Sequence, residues 1–410
     1  VRTLEENLSA PTWCPSPWFE MYIEPNGDVH ICCESDSYNE PSGNIHHNSM
    51  EEIFHSKTFR DARETMMADK WPRVCHYCKV KEEKFGASSR TGRLHGYKKL
   101  IEANSDNFTT MNPKNIFKLK IDFSNGCNLR CNMCSEHRST AWIKDKNAMV
   151  KDFADLQNYD YGHHNSVLTK PKQLKKITSN IPREFVDDNL DFLLTLQHIE
   201  VSGGEPFFHP EFIYLLEKLK EAGWKNEMKV ITNLTLLTPE IAELLSNFNT
   251  RLILSIDACG PLYEYIRPAT VIGKYTWEDI EQNIELCIEK GFGLNFAYTV
   301  QIYNFYNLIE WTEFYTKVRE RTRVPNMFNN NSLVNPQHLM ICNHPDQQEK
   351  EKLVALLKKD DRVFPQVIES ILATPDPKAW EAFCRWTDYT DKLRNTSIFK
   401  YIPEFEKYWI

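Results

Sequence analysis

The sequence has no run approaching about 18 consecutive apolar residues, so nothing in it predicts a membrane-spanning helix. Glycine and proline are scarce, 14 and 21 of 410 residues, which excludes collagen-like repeats and broad disorder. A basic excess is missing as well. Lysine and arginine number 49 against 57 acidic residues, a formal net charge of −8, and this argues against a general nucleic-acid coat. The first residues, Val1-Arg2-Thr3-Leu4-Glu5-Glu6, lack the charged-then-apolar layout of a signal peptide, and no internal repeat or low-complexity tract is present. What remains is 41% hydrophobic and long enough for two or three domains. A soluble, cytoplasmic protein with no membrane partner is expected.

Cysteine is the residue present in excess of need, at 12. In a long chain without a secretion signal, thiols are better read as metal ligands, reactive groups and core residues than as a disulfide framework. Five fall early (Cys14, Cys32, Cys33, Cys75, Cys78), three are packed together (Cys127, Cys131, Cys134), and Cys259, Cys287, Cys342 and Cys384 are scattered. Two clusters predict two metal sites, and the scattered four read as core.

The spacing divides the chain into residues 1–100, 113–335 and 336–410. In the first part, Trp18 to Ile23 and Val29 to Cys32 flank Pro25-Asn26-Gly27-Asp28 and predict a hairpin. Ser49 opens an amphipathic segment through Met66, with Ser49 and Glu52 placed for a capping box. Polar residues from Gly86 to Pro113 read as a connector. From about 115 onward, short apolar strands (Phe117 to Phe123, His198 to Ser202, Met228 to Thr232, Leu252 to Asp257, Leu294 to Gln301, Met327 to Leu333) alternate with helical segments near 138–157, 211–222, 239–248, 277–290 and 305–321. Five or six such repeats predict an α/β fold with a partial (β/α)6 barrel rather than a closed eightfold one. Residues 158–190 read as an insertion, and the last part reads as helical.

Chemistry concentrates at Ser124-Asn125-Gly126-Cys127-Asn128-Leu129-Arg130-Cys131-Asn132-Met133-Cys134. Three soft thiolates on one tight loop suit an iron–sulfur cubane, and three ligands leave one iron open. A zinc ion that borrows a histidine such as His137, or three merely buried thiols, fits the same spacing.

These residues resemble the radical S-adenosylmethionine (SAM) superfamily, whose Cys-x3-Cys-x2-Cys loop follows the first barrel strand. The resemblance implies a 4Fe–4S cluster on Cys127, Cys131 and Cys134 whose open iron chelates SAM. A one-electron donor such as a flavodoxin or ferredoxin then drives its cleavage to a 5′-deoxyadenosyl radical that abstracts a substrate hydrogen atom. Val201-Ser202-Gly203-Gly204-Glu205-Pro206 is similar to the element that meets the methionine amino group. By the same resemblance Asn233, Ser255 and Asp257 lie near the ribose, Arg267 near the SAM carboxylate, and Met133, where the family often carries an aromatic residue, near adenine. The order Cys14, Gly27 to Cys32, Gly43-Asn44-Ile45 and Cys75-His76-Tyr77-Cys78 resembles the twitch/SPASM module, which implies a second, auxiliary 4Fe–4S cluster on Cys14, Cys32, Cys75 and Cys78. The module usually follows the barrel and here precedes it; Cys33 is an alternative to Cys32, and a structural zinc suits the same four thiols. The expected outcome is oxidation, crosslinking or other modification of a peptide or protein side chain, with a small metabolite, sugar or nucleotide as the alternative substrate and a non-catalytic cluster or zinc module as the alternative role.

Overall fold

The computed structural model describes residues 4–35, 41–86, 88–96, 98–103, 116–136, 138–143, 145, 181–270, 274–322, 327–334, 336–359 and 365–410. The chain forms two compact units: Val1–Ser124 with Thr178–Val230 and Asn247–Asn249, and Asn125–Ile177 with Ile231–Ser246 and Thr250–Ile410.

In the first unit the strands are β1 (Glu20–Ile23), β2 (Asp28–His30), β3 (Gly43–Asn44), β4 (Lys118–Asp122), β5 (His198–Ser202) and β6 (Glu227–Thr232, its last two residues in the second unit), in the order β3-β2-β1-β4-β5-β6. The predicted hairpin is there, with Tyr22 opposite His30 and Ile23 opposite Val29. Gly27 takes φ +85 in its turn, where an added Cβ would meet the His46 ring at 2.8 Å. The hairpin does not stand apart. Strand β1 lies parallel to β4 in register Glu20 with Lys118 through Ile23 with Ile121, so the N-terminal module extends the same sheet.

Side chains alternate across this sheet with period two. Met21 and Ile23, Leu119 and Ile121, Ile199 and Val201, and Met228 and Val230 are all buried on one face. Phe212, Leu215, Leu216 and Leu219 of the helix Pro210–Glu221 are buried as well. The other face carries Glu20 and Tyr22, Lys118, Lys120 and Asp122, His198, Glu200 and Ser202, and Lys229. Parallel strands covered by apolar layers on both sides read as continuous apolar runs, and these strands do not. Their second face is an ion-pair network in which Glu200 meets Lys118 at 3.2 Å, Lys120 at 3.4 Å and Lys229 at 3.1 Å. Burial opposes the Glu200 charge, yet the three lysines hold its carboxyl well below the usual range.

The second unit holds β7 (Asn249–Ser255), β8 (Gly293–Val300) and β9 (Met327–Ser332), paired in parallel as β7-β8-β9. The helix Trp277–Glu289 starts at a capping box between Thr276 and Asp279, and Trp277, Ile280, Ile284 and Cys287 form its buried stripe. Near the C-terminus, His344 stacks on Phe305 at 4.2 Å, while Phe383, Phe405 and Trp409 pack ring against ring. Strands β4 to β9 interspersed with helices are the expected six β/α repeats, so the α/β fold class holds.

Three local expectations need correction. Residues 49–66 are two helices, Met50–Phe54 and Lys57–Met67, separated at His55 and Ser56, although the Ser49/Glu52 capping box is present. Trp18 and Phe19 close a short helical turn, Ser16–Phe19, and the strand starts only at Glu20. The supposed connector holds two helices, Ser89–Gly96 and Lys98–Ala103, and Arg90 of the first forms a part-buried ion pair with Glu82 that helps offset the ordering of so polar a segment. His137, most of the 138–157 helix and of the 158–190 insertion fall outside the described residues. Among the described residues no helix is long and apolar enough to cross a membrane.

Candidate active site

The cysteine loop runs back beside residues 266–270 of its own unit. Arg130 N–H donates to the Pro268 carbonyl at 2.9 Å, Asn132 N–H to the Ile266 carbonyl at 2.8 Å, and Thr270 N–H to the Asn128 carbonyl at 2.8 Å. The Ser139 hydroxyl caps the Leu129 carbonyl at 2.6 Å and the Trp142 indole N–H reaches the Cys131 carbonyl at 3.2 Å. Arg394, at the end of the helix Ala379–Arg394, donates to the Asn132 side chain and to the Arg130 carbonyl. These bonds fix the loop backbone from three directions, which is what presenting three sulfurs at set positions requires.

Donors also face the sulfurs. Leu129 N–H lies 3.4 Å from Cys127 Sγ, Asn233 Nδ2 3.9 Å from the same sulfur, and Arg267 Nη1 3.6 Å from Cys131 Sγ. Burial pushes the Cys131 thiol up to about 12, against the pull of Arg267. A buried thiol with cationic and amide donors around it is suited to existing as a thiolate once a metal neutralises it. Cys134 is half-buried, as is Met133 in the turn before it.

Four residues that the sequence marked for SAM come together in this unit. Asn233 Nδ2 donates to the Asn128 side-chain oxygen Oδ1 of the loop at 3.0 Å, and its own Oδ1 accepts from Thr235 N–H. The Tyr263 hydroxyl donates to the Asn233 and Ser255 carbonyls at 3.1 and 3.3 Å. Asp257 and Arg267 form one bidentate pair, with Nε and Nη2 both 2.6 Å from Asp257 Oδ2. Asp257 Oδ1 accepts from Thr299 N–H at 2.8 Å, tying the ends of β7 and β8 to the arginine. Burial alone would lower the Arg267 pKa; Asp257 and Cys131 hold it well above its ordinary value, so the cation persists.

In the first unit, Gly203 takes φ +119, and an added Cβ would stand 2.4 Å from the Ser124 carbonyl oxygen. Gly204 N–H donates to that same oxygen at 2.8 Å. Only glycine allows this approach at the C-terminal end of β5. Glu205 is buried and its carboxylate accepts from Phe207 N–H at 3.2 Å.

Cys14 and Cys32, distant in the sequence from the pair Cys75 and Cys78, line one small pocket with them in the first unit. Burial raises the Cys14, Cys32 and Cys75 thiols, Cys32 to about 12, and the three other thiols raise Cys75 further. Cys33 is exposed. Among the described residues, no three cysteine, histidine or carboxylate side chains are gathered as tightly as one ion requires; a cubane gives each thiolate its own iron and needs no such gathering. Both thiol sets therefore suit iron–sulfur clusters: three thiolates with N–H donors at the first, four in a buried cavity at the second. Asn128, Tyr263, Trp142 and Arg394 were not singled out from the sequence; their roles rest on partners up to 264 residues away, which no local spacing reveals.

Family comparison agrees with this geometry. Residues 121–307 match the radical SAM superfamily model, and residues 14–79 match the SPASM model, an iron–sulfur cluster-binding domain. The chain carries a radical SAM domain. A SPASM domain lies ahead of the radical SAM domain, and the cofactors of these domains are SAM, the SAM-binding 4Fe–4S cluster and a second cluster. No curated protein matches the chain. Among solved structures, this chain is similar to native anSMEcpe with bound AdoMet (17% identity over 59% of each chain, TM-score 0.39). It is similar also to Streptococcus suis SuiB bound to S-adenosylmethionine (13% identity, 78% of this chain and 67% of that one, TM-score 0.35). A third is TsrM, a radical S-adenosylmethionine methyltransferase from Kitasatospora setae (14% identity, 53% of this chain and 35% of that one, TM-score 0.36). The match spans 59% of the anSMEcpe chain's own length.

Proposed function

We propose that this radical SAM enzyme oxidises, crosslinks or otherwise modifies a side chain of a peptide or protein. The observation that carries the oxidative outcome is the second thiol set. Four cysteines on one cavity complete a cluster's protein ligands and leave no iron open to a substrate, so that cluster serves as an electron acceptor. When bound, a cluster on Cys127, Cys131 and Cys134 would supply the one-electron reductive chemistry that activates SAM toward substrate hydrogen abstraction, and a cluster on Cys14, Cys32, Cys75 and Cys78 would supply an acceptor for the second electron.

The chain's own residues take these parts. Cys127, Cys131 and Cys134 hold the first cluster, and Cys14, Cys32, Cys75 and Cys78 the second. The Gly203-Gly204-Glu205 turn receives the SAM ammonium, for which a buried carboxylate is suited. Asp257 engages Nε and Nη2 of Arg267, and Nη1, one of whose hydrogens faces Cys131 Sγ, has a second hydrogen for the SAM carboxylate. Asn233 and Ser255 stand by the ribose, and Met133 lies against adenine. A polypeptide substrate is supported by a groove of about 450 Å³, open to solvent and lined by Tyr265, Tyr275, Arg394 and Tyr401. Pro268 and Ala269 form its wall, and the same residues pair with the cysteine loop. An extended chain can lie in such a groove and offer one side chain, whereas a small metabolite is usually enclosed.

The test is anaerobic reconstitution followed by SAM and dithionite, scored by 5′-deoxyadenosine. Peptides built from deuterated amino acids should pass deuterium into that product; deuterium arriving only from a labelled small-metabolite fraction would overturn the peptide reading. Replacing Cys14 and Cys78 should leave about four of about eight irons per chain, and retention of all eight would refute those two ligands.

A further inference from the structure

Arg93, one of the residues lining the four-thiol pocket, has an unspent hydrogen-bond donor. Its side chain is only 9% exposed, and Glu20, at 3.0 Å from Nε, anchors it. Nη2 lies 3.7 Å from Cys33 Sγ. Nη1 is buried with no acceptor. The neighbouring arginine of the same helix gives the contrast: Arg90 spends Nε and Nη2 on Glu82 and Nη1 on the Trp13 carbonyl at 2.9 Å. A buried, unsatisfied guanidinium N–H costs free energy and points to a missing partner. The anchor is itself braced, since the Ser16 hydroxyl donates to Glu20 at 2.9 Å and Lys118 lies 3.8 Å from the same carboxylate.

We infer that Arg93 Nη1 donates to a sulfur of the auxiliary cluster and that this fixed cation raises the cluster's reduction potential. The inference rests on the four-thiol assignment made above. A reduced cluster carries one more negative charge than an oxidised one, so a cation and an N–H···S bond held beside it favour reduction. The effect is strong here because the cavity is buried and the guanidinium cannot swing away from Glu20. Electron uptake is thereby made easier at the cluster that must accept it, while Arg93 itself touches neither SAM nor substrate. Burial lowers the pKa of the arginine, but Glu20 first, and then Cys32, Cys33 and Cys14, raise it well above the ordinary value.

The experiment uses the full chain with Cys127, Cys131 and Cys134 changed to alanine, so that one cluster remains. Potentiometric titration followed by electron paramagnetic resonance gives the midpoint, iron analysis gives occupancy, and deuteron hyperfine spectra in D2O report an exchangeable proton bonded to the cluster. Arg93→Met should shift the reduction equilibrium at least tenfold toward the oxidised form, about 59 mV, and remove the deuteron signal with about four irons retained. Arg93→Lys, which keeps the charge, should fall between and also lose the signal. Unchanged midpoint and signal in the methionine variant with iron retained overturn the inference alone. If that variant holds no iron, the same two readings in the lysine variant decide. Failure of the arginine-intact protein to bind iron refutes the four-thiol assignment and the inference with it.

Discussion

The Asp257–Arg267 pair offers the sharpest test of how this site is built. Both guanidinium contacts are 2.6 Å, the aspartate is fully buried, and the arginine side chain is 12% exposed, so solvent screens the pair little. Changing Asp257 to Asn keeps the shape and still lets the side-chain oxygen accept from Thr299 N–H, but it leaves the guanidinium uncompensated and turns an amide donor toward it. Breaking a buried pair from one side costs about 3–5 kcal/mol, and that is the loss expected for Asp257→Asn. Arg267→Met strands the carboxylate and should cost a similar amount. The double variant removes both charges, so its cost should fall short of the sum of the singles by at least about 1.5 kcal/mol. Urea unfolding of the cluster-free full chain, followed by aromatic fluorescence, reads these differences as midpoint shifts at constant slope. A single variant within about 1 kcal/mol of the parent, or simple additivity across the cycle, would refute the claim that this contact is a desolvated, mutually dependent ion pair.

Other consequences can be measured with the same protein. Gly203→Ala would drive a Cβ to 2.4 Å from the Ser124 backbone oxygen at φ +119 and should sharply lower the melting temperature, whereas Gly92→Ala, in a helix with open space around it, should be neutral or stabilising by up to about 1 kcal/mol. Glu200→Gln leaves Lys118, Lys120 and Lys229 without their shared carboxylate and should cost about 3 kcal/mol at neutral pH. Because the Glu200 pKa is depressed in the folded chain, this stabilisation is complete above its ordinary 4.5 and disappears as pH falls through the folded value; a Gln variant as stable as the parent at pH 7 would contradict it. Burial lowers His338 to about 3 and His344 to about 4 from the ordinary 6.5. The unfolded chain therefore takes up protons first as pH falls, and each histidine should cost about 2 kcal/mol between pH 6.5 and 5. Urea midpoints across that range should drop less in His344→Asn than in the parent.

Much of the frame was readable before any coordinates. The six strands of the β/α repeats begin and end within a few residues of where apolar runs and polar breaks put them, because burial of one face imposes a period on each short segment. The Ser49/Glu52 capping box and the Asn-Gly hairpin were equally local, and both are present. Residues 86–103 were not legible as helix, since their composition is polar and their order comes from Arg90 reaching Glu82 and the Trp13 carbonyl.

The candidate site divides in the same way. Sequence by itself supplied two groups of cysteines, a glycine pair and a carboxylate in the order of a known family, since thiol spacing on a tight loop and the need for a bare backbone are properties of a few consecutive residues. Tertiary structure alone decided that Asp257 and Arg267 are one ion pair, that Arg394 fastens the cysteine loop, and that β1 joins β4 so that Glu20 stands beside Lys118 and Arg93. Those facts depend on which surfaces meet once the chain has folded. A charge distinguishes its partners through space, at a few ångströms and with water excluded, and separation along the sequence carries no record of that.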